Sequence, residues 1–413
     1  MDEAQKIRDE IIKNIKQYFK LKHERKEFIP GKSKVSYAGR VYNEEEMIAA
    51  IDSILEFWLT IKDKNTEFSN EFSKFLNVNH TLLVNSGSSA NLLAMSALRS
   101  NMLKKQIKLG QEVITPAMTF STCINPIIQN GLTPVIVDSE VGTYNINVNE
   151  LEKAYSKKTR AIMVPHVLGN PCDMDPIMDF AKEKDLFVIE DSCDALQSKY
   201  GNKYCGTIGN LGTFSFYAAH HIFMGEGGAV TTNNEDFYKI LKSLRDWGRV
   251  AQYEEDSKMS FNERFGFKIG DLNYDARYFF TTIGYNLKPL DLQAAIGLAQ
   301  LKKVSSFTEH RKNNFNKMYK ALSKYDEFIL PRKVSKADPS WFAFTITINT
   351  NKFTRLELME WLEKNNIQTR FPFAGNITKH PAYKDVKMRV IGNLDGANRI
   401  MKDSFFIGVF PGI

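Results

Sequence analysis

The chain lacks any long apolar run. None of its 413 residues belongs to a stretch of about 18 consecutive apolar residues, the length needed to cross a membrane as a helix. The N-terminal stretch MDEAQKIRDEIIKNIKQYF has the charged, amphipathic pattern of a surface helix and lacks the apolar segment of a signal peptide. We therefore expect a cytoplasmic protein without a membrane partner.

Cysteine is scarce and irregularly spaced. The four cysteines are Cys123, Cys172, Cys193 and Cys205, and none forms a C-x-x-C pair or a metal-ligand spacing. In a chain of this length, that pattern predicts free thiols rather than a disulfide framework. No metal site is expected.

A dense basic stripe with interleaved aromatic residues, typical of nucleic-acid binding, is also missing. The 55 basic and 48 acidic residues give a net charge of +7, and these charges are dispersed. The most basic stretch holds Lys20, Lys22, Arg25 and Lys26. This balance excludes a nucleic-acid partner and suits a basic pocket for a phosphorylated small molecule.

Short apolar strands alternate with helices in the first half of the chain. The predicted strands are Thr81–Val84, Glu112–Thr115, Thr133–Val137, Ala161–Val164 and Leu186–Glu190. The predicted helices between and around them are Asn43–Trp58, Glu67–Leu76, Leu92–Arg99, Ser121–Gln129, Val148–Tyr155 and Met174–Lys184. This alternation indicates an α/β fold with an open, mostly parallel sheet covered on both faces. Ligands of such sheets bind at the carboxyl ends of the strands.

The second half predicts a different architecture. A polar segment, Gln252–Phe279, is expected to be a functional or mobile loop, and a long helix from Asp291 to about Lys324 is expected to connect two domains. We predict an N-terminal helix and arm (1–45), a large domain (46–300) and a smaller α+β domain (301–413). The chain stops at Ile413 without a terminal helix, which leaves open that the natural C-terminus lies beyond it.

Chemically capable residues follow several predicted strands. A turn rich in small hydroxyl residues, Asn85–Asn91, precedes a helix and could either bind an anion through backbone N–H groups or cap that helix. Phe120 and His166 follow two further strands. Asp191, directly after another strand, needs a cationic partner or several hydrogen bonds if buried; a helix N-cap is the alternative.

The central stretch LGTFSFYAAHHIFMGEGGAV, residues 211–230, contains no lysine. A β-type run through Tyr217 leads to two adjacent histidines, His220 and His221, and then to the turn Gly225–Gly228. A strand that feeds a glycine-rich turn indicates a tight bend or the close approach of a ligand.

Taken together, these motifs resemble the sugar aminotransferase family typified by the DegT, DnrJ and StrS proteins. The motifs occur in the family's order and span most of the chain: NSGSSAN, EVITPAMTFST, PHVLGNPCDMD, IEDSCDAL, SFYAAHHIFMGEGGAV and GYNLKPLDLQAAIGLAQL. The resemblance implies a type I aminotransferase fold, with a mostly parallel sheet of the seven-stranded type and a smaller C-terminal α+β domain.

The resemblance also assigns roles toward pyridoxal 5'-phosphate (PLP). The phosphate would be held by Gly87, Ser88, Ser89 and Ser215. Phe120 would stack on the ring, Asp191 would pair with the ring nitrogen, and Asp194 would lie near the ring hydroxyl. Asn286 would reach the phosphate of the partner subunit's cofactor. A homodimer with shared active sites follows from the last of these roles.

One position departs from the ordinary family pattern. The lysine that usually binds the cofactor covalently stands five residues after the serine of the SF motif, and here that position is His220. Without a lysine amine, repeated transamination is impaired, whereas histidine still moves protons near neutral pH. The substitution is similar to that of the 3-dehydratases of nucleotide-linked 4-keto-6-deoxysugars, which use pyridoxamine 5'-phosphate (PMP) and supply 3,6-dideoxysugars for surface polysaccharides.

Two routes are known for such enzymes. The first route needs an iron–sulfur cluster and a separate reductase. In this chain Cys193 fits one position of a cluster ligand, but residues 250–257, where the other ligands are expected, contain no cysteine. A cluster needs about four thiolates, so we predict no cluster and no dedicated reductase. The other route regenerates PMP with L-glutamate and releases ammonia. An aminotransferase with another base, and an inactive scaffold protein, are the remaining alternatives.

Substrate contacts are less determined by the sequence. His221 is either a substrate contact or a neighbour that packs beside His220. The basic residues near the motifs that could hold the diphosphate of a nucleotide sugar are Arg249, Lys288, Arg370 and Lys379, and a solvated surface role is the alternative for each. His166 is expected to be structural. The base, GDP or CDP, and a six- or seven-carbon sugar stay open.

Overall fold

The computed structural model describes residues 2–24, 27–250 and 259–413. The α-helices are α1 Glu3–Lys22, α2 Glu44–Leu55, α3 Asp63–Leu76, α4 Gly87–Leu98, α5 Ser121–Gln129, α6 Leu151–Ala154, α7 Met174–Glu183, α8 Glu235–Arg245, α9 Phe261–Phe265, α10 Asp291–Leu301, α11 Val304–Leu322, α12 Arg355–Lys364 and α13 Asp395–Asp403. The strands are β1 His80–Val84, β2 Glu112–Pro116, β3 Thr133–Val137, β4 Thr159–Pro165, β5 Phe187–Asp191, β6 Lys199–Tyr200, β7 Lys203–Tyr204, β8 Leu211–Ser215, β9 Gly228–Thr232, β10 Phe267–Ile269, β11 Leu272–Tyr274, β12 Phe328–Ile329, β13 Ala337–Asp338, β14 Ala343–Ile348, β15 Thr369–Arg370, β16 Arg389–Val390 and β17 Ser404–Gly408.

A large sheet with the order β1-β9-β8-β5-β4-β2-β3-β16 forms the centre of the molecule. Strands β8, β5, β4, β2 and β3 pair in parallel, and β9 runs antiparallel to both β1 and β8. The prediction of a mostly parallel sheet of the seven-stranded type is therefore confirmed, with the two-residue strand β16 added at one edge. Strands β2 and β9 are buried along their whole length because helices cover both faces.

Two apolar cores lie against this sheet. One joins α4 and α8 to the sheet through residues such as Leu93, Leu241 and Val230, and the other joins α7 to strands β2 to β5 through residues such as Ile177 and Val188. All five of these side chains are almost completely buried. This packing holds the carboxyl ends of the parallel strands in a fixed frame, which is where the candidate site lies.

The C-terminal part builds a second, antiparallel sheet with the order β12-β14-β17-β15. Its core includes Phe344, Phe405 and Trp341, packed against α11 and α12. Val35 of the N-terminal arm pairs with Ile367 beside this sheet, and β16 returns to the large sheet. These connections are compatible with the predicted three-part division, whose exact boundaries stay a prediction.

Two predictions about the second half were wrong, one about a long helix and one about a loop. The long helix predicted from Asp291 to Lys324 is broken at Lys302 and Lys303 into α10 and α11. At this break the Lys303 ammonium contacts the carboxylate of Glu46 at 2.6 Å. None of the described helices is both long and apolar enough to cross a membrane.

The polar segment predicted as a loop contains regular structure. A short helix, α9, and a hairpin of β10 and β11 occupy its described part. Helix α9 begins with a capping box of Ser260 and Glu263. This local pattern indicates a helix start, but the polar composition of the segment led to the prediction of a loop. Residues 251–258 lie outside the described residues. They include all but Val250 of the stretch 250–257 where the cluster cysteines were sought. Arg25 and Lys26 of the basic N-terminal stretch are also outside the described residues.

Candidate active site

A cavity of about 590 Å³ lies where β1, β5 and β8 end. Its lining includes nine residues singled out from the sequence: Gly87, Ser88, Phe120, His166, Asp191, Asp194, Ser215, His220 and Arg370. Aromatic rings from the C-terminal part complete the wall: Phe342, Phe371, Phe373 and Phe406. The cavity is therefore shared between the large sheet and the C-terminal segments, which is where ligands of open α/β sheets bind.

One end of the cavity is suited to an anion. Helix α4 begins at Gly87, five residues earlier than predicted, and its N-terminus faces the cavity with Ser88. The Ser86 hydroxyl accepts a hydrogen bond from the Ser89 N–H at 3.1 Å, so the alternative that a serine of this turn caps the helix is confirmed. The binding of an anion by the same turn stays a prediction. Ser89 does not line the cavity among the described residues.

Gly87 lies so close to the end of β8 that no side chain fits at this position. A Cβ atom at this position would lie 2.5 Å from the Ser215 Cβ and 3.0 Å from the Cys193 Sγ. The close approach of α4 to the end of β8 therefore requires glycine. It brings the helix N-terminus and the Ser215 hydroxyl to one place, as a phosphate group requires.

Asp191 lies at the carboxyl end of β5 and is 6% exposed. A turn rather than a helix follows it, so the alternative that it caps a helix is wrong. Its carboxylate accepts hydrogen bonds from the Asn91 amide at 2.8 Å, the Cys123 thiol at 2.9 Å and the Cys193 N–H at 3.0 Å. Burial, with the carboxylate of Asp191 close by, raises the pKa of the Cys123 thiol well above its ordinary value, which keeps that thiol a donor.

His220 lies on the turn after β8 with its ring on the cavity wall. Its Nδ1 is 3.3 Å from the Asp194 Oδ1, although the angle does not make this contact a hydrogen bond in the structure. The ring packs against Phe342, with 5.6 Å between centroids. An imidazole and a carboxylate therefore lie side by side at the cavity.

Phe120 and His166 contribute in different ways. Phe120 is 51% exposed and meets Phe373 edge-on, at 5.9 Å between centroids, so a ring face remains for a flat ligand. His166 is almost completely buried. Its Nδ1 accepts a hydrogen bond from the Cys172 N–H and its Nε2 contacts Glu190, each at 3.0 Å. These two contacts are consistent with the structural role predicted for His166.

His221 points away from the cavity. Its Nε2 donates a hydrogen bond to the Ser340 carbonyl at 2.8 Å, and it is absent from the cavity lining that the described residues form. Burial, together with the nearby Arg311 cation, lowers the pKa of His221 well below its ordinary value. Of the two alternatives for this residue, these contacts favour packing over substrate contact.

Three further predicted residues lie elsewhere. Asn286 is exposed and its backbone pairs with Asp246. Arg249 and Lys288 lie over the ring of Trp247, at 4.4 and 3.7 Å from its centroid. These residues are outside the cavity that the described residues of one chain form.

Arg370, by contrast, lies at the cavity, where its guanidinium covers the ring of Tyr37 at 4.3 Å. Lys379 is exposed, in a short 3-10 helix away from the lining. Arg370 is therefore the one of the four predicted diphosphate-binding cations that lines the cavity formed by the described residues.

Sequence reasoning missed several contributors. Asn91 belongs to the quoted NSGSSAN motif, so a signal existed, but its contact with Asp191 spans 100 residues. Cys123 had no local signal, and neither had Tyr37 or Phe342, which line the cavity from distant parts of the chain. Only the folded chain brings these residues together.

These features fit PLP. The helix N-terminus beside Gly87 suits its phosphate, the buried carboxylate of Asp191 suits its ring nitrogen, and the exposed face of Phe120 suits its flat ring. The structural observation behind this fit is that these groups, together with Ser215, line one cavity.

Comparison with known proteins agrees with the site. A dTDP-4-dehydro-2,6-dideoxy-D-glucose 3-dehydratase from Saccharopolyspora spinosa is 42% identical over 410 residues, which cover 98% of this chain and 88% of that protein. A lipopolysaccharide biosynthesis protein from Salmonella typhimurium is 43% identical over 415 residues, covering 99% and 95%.

Solved structures show the same likeness. A crystal structure of a GDP-4-keto-6-deoxymannose-3-dehydratase with a trapped PLP-glutamate geminal diamine has a TM-score of 0.83 and 29% identity, covering 92% of this chain and 96% of that one. Residues 41–413 match the DegT/DnrJ/EryC1/StrS aminotransferase family. The chain belongs to this family, and its fold is the type I aminotransferase fold.

Proposed function

We propose that the protein is a PLP- and PMP-dependent 3-dehydratase of a nucleotide-linked 4-keto-6-deoxysugar. L-glutamate serves as amino donor, ammonia is released, and the product is a 3,6-dideoxysugar unit for a surface polysaccharide. The observation that carries the proposal is His220, which lies on the cavity wall 3.3 Å from Asp194 at the position where ordinary family members have lysine.

The cofactor, when bound, supplies an amine that condenses with a ketone and a ring that accepts electron density. In this chain Gly87, Ser88 and Ser215 would hold its phosphate, and the Asp191 carboxylate would keep its ring nitrogen protonated. Phe120 would cover one ring face. The trapped PLP-glutamate group in the dehydratase of similar fold supports both the cofactor and the amino donor.

His220 would move the proton on which elimination depends. Asp194, close to Nδ1, favours the tautomer with its proton on that nitrogen, which leaves Nε2 free to act as a base. Imidazole cannot hold the cofactor through a covalent bond as a lysine amine does. The cofactor would therefore bind non-covalently and depend on glutamate for renewal.

The relatives and one arginine at the cavity support the proposed substrate class. The two named 3-dehydratases act on dTDP- and GDP-linked sugars, and a CDP-linked sugar is the third candidate. Arg370 at the cavity offers a cation for an anionic group of the substrate, either the diphosphate or the carboxylate of glutamate.

An ammonia assay tests the proposal directly. Wild type and His220→Lys would be incubated with PLP, L-glutamate and a panel of GDP-, CDP- and dTDP-linked 4-keto-6-deoxysugars. We expect wild type to release ammonia and form a 3-deoxy product, and the lysine variant to form a stable 4-aminosugar instead. Accumulation of a 4-aminosugar by wild type, without ammonia, would establish the aminotransferase alternative.

We further propose that no reductase is needed. Three of the four cysteines are buried and Cys193 is partly buried, and the described residues contain no group of three or more side chains placed to hold a metal ion. Turnover with no added electron donor, in protein purified anaerobically and assayed for iron, is the expected result. Stoichiometric iron and a need for a reductant would contradict it.

A homodimer in the cytoplasm completes the proposal. Asn286 lies outside its own cavity, close to a surface with exposed apolar side chains such as Ile283, which is 95% exposed. A second copy that covers this surface would bring Asn286 of one chain toward the cavity of the other. The free thiols agree with a reducing compartment.

A further inference from the structure

The carboxylate of Asp191 has two unequal oxygens. Oδ2 accepts hydrogen bonds from the Asn91 amide at 2.8 Å and from the Cys123 thiol at 2.9 Å. Oδ1 accepts one bond from the described residues, from the Cys193 N–H at 3.0 Å. A carboxylate oxygen has two lone pairs, so the remaining acceptor site is on Oδ1.

Asn91 is itself held in one orientation. It lies in α4, is completely buried, and its Oδ1 accepts a hydrogen bond from the Thr213 hydroxyl at 2.6 Å. Since a hydroxyl donates to the oxygen, the nitrogen of the amide must face Asp191. Strand β8, helix α4 and strand β5 are thereby joined through one chain of polar groups, and every buried group in it is paired.

Cys123 reaches the same oxygen from a fourth element. It lies in α5, is also completely buried, and its thiol is kept protonated by burial and by the Asp191 carboxylate, which raise its pKa. A thiol is a weak donor, but here it is directed at a buried anion. Two donors from α4 and α5 therefore fix the rotation of a side chain on β5.

We propose that Asn91 and Cys123 are positioning residues for Asp191. They occupy Oδ2 and present the free acceptor site of Oδ1 to the protonated ring nitrogen of the cofactor. This inference rests on the proposed function, since it assumes that PLP or PMP occupies the cavity. Neither residue needs to touch the cofactor or the sugar.

Cofactor binding by the apoprotein distinguishes this role from a purely structural one. The dissociation constants of PLP and PMP would be measured for wild type and for Asn91→Leu, Cys123→Ala and Cys123→Ser. Ser96→Ala is the matched control, because Ser96 is buried on the same helix but bonds to Tyr285. Thermal unfolding of each apoprotein would verify that the variants fold.

We expect Asn91→Leu to bind both cofactor forms about tenfold more weakly, since a hydrogen bond to a charged group is lost. Cys123→Ala should show a smaller loss in the same direction, and Cys123→Ser, which keeps a donor, should recover most of it. Ser96→Ala should bind like wild type. Equal affinities for all variants would overturn the inference, as would a loss in Cys123→Ser that equals the loss in Cys123→Ala.

Infrared spectroscopy of the apoprotein gives a readout independent of binding. The wild-type minus Cys123→Ala difference spectrum isolates one S–H stretching band, which we expect at lower frequency than the band of Cys172, whose thiol donates to the Pro165 carbonyl at 3.2 Å. A band at or above the Cys172 frequency would contradict donation to a carboxylate.

The binding measurements also separate this inference from the proposed function. If wild type itself fails to bind PLP and PMP, the proposed function fails. If wild type binds both and the variants bind equally well, only this inference fails.

Discussion

Two adjacent histidines have opposite surroundings in this protein. The ring of His220 faces the cavity beside Asp194, whereas that of His221 is buried and bonded to the Ser340 carbonyl. Phe342 packs against both rings. One histidine therefore lines the cavity, and the other ties the turn that carries it to the C-terminal part.

Replacing Asp194 by asparagine should impair proton transfer while leaving the shape of the site intact. Without the negative charge, the tautomer of His220 with Nε2 free is no longer favoured, and we expect kcat to fall by about 10²-fold. Steady-state kinetics measures this, with KM for the sugar nearly unchanged. An unchanged kcat would show that Asp194 serves only the cofactor's ring hydroxyl.

His221 should make the folded state sensitive to acid. Its pKa in the folded state lies well below its ordinary value, so as pH falls below about 6.5 the unfolded chain takes up a proton that the folded chain does not. The free energy of unfolding should then decrease by up to about 1.4 kcal/mol per pH unit for this group.

Chemical denaturation between pH 7 and pH 5 provides the measurement. His221→Gln keeps a donor for the Ser340 carbonyl but does not titrate, so its stability should fall less steeply than that of wild type. The other acid-sensitive groups are common to both proteins and cancel in the comparison. If the free energy of unfolding fell equally with pH in wild type and in His221→Gln, His221 would be protonated in the folded state too.

At the scale of an element, we propose that the N-terminus of α4 holds the phosphate of the cofactor. The helix can approach β8 only because residue 87 has no side chain. Its backbone N–H groups and the Ser215 hydroxyl then converge on one end of the cavity.

Gly87→Ala should therefore weaken both folding and cofactor binding. The added methyl group would meet Ser215 at 2.5 Å, and such overpacking costs about 1–3 kcal/mol. Denaturation and PLP titration measure the two effects. Ser88→Ala, in the same turn but without a steric conflict, should keep wild-type stability; a Gly87→Ala variant as stable and as tight-binding as wild type would show that the helix can shift without cost.

At the scale of the whole molecule, we expect each active site to contain His220 of one subunit and Asn286 of the other. His220→Asn and Asn286→Ala homodimers should each be nearly inactive. Subunits mixed after reversible dissociation should recover about one quarter of the wild-type activity, since half of the dimers carry one intact site. No recovery would place both residues in the site of one chain, and a monomer in light scattering would exclude sharing altogether.

Much of this architecture was readable from local patterns. Alternating apolar strands and helices predicted the parallel sheet, because each strand buries both faces and each helix buries one. The residues that follow strand ends, such as Asp191, were predicted to meet because parallel strands end at the same edge. His220 was recognisable because its motif fixes its spacing from Ser215.

Other features depended on contacts that no local pattern encodes. Lys303, at the break between α10 and α11, contacts Glu46, which lies 257 residues away in the chain. Whether His221 faced a ligand or the core could not be decided from its neighbours in sequence, because adjacent residues on a turn point in different directions.

The sequence by itself determined the fold class, the family and the missing lysine, since these depend on periodicity, motif order and residue type. Only the tertiary structure decided which candidates share a cavity, why residue 87 must be glycine, and that Asn91 and Cys123 both bond to one oxygen of Asp191. The reason is physical: residue type sets what a side chain is able to do, whereas distances between residues far apart in sequence exist only once the chain has packed.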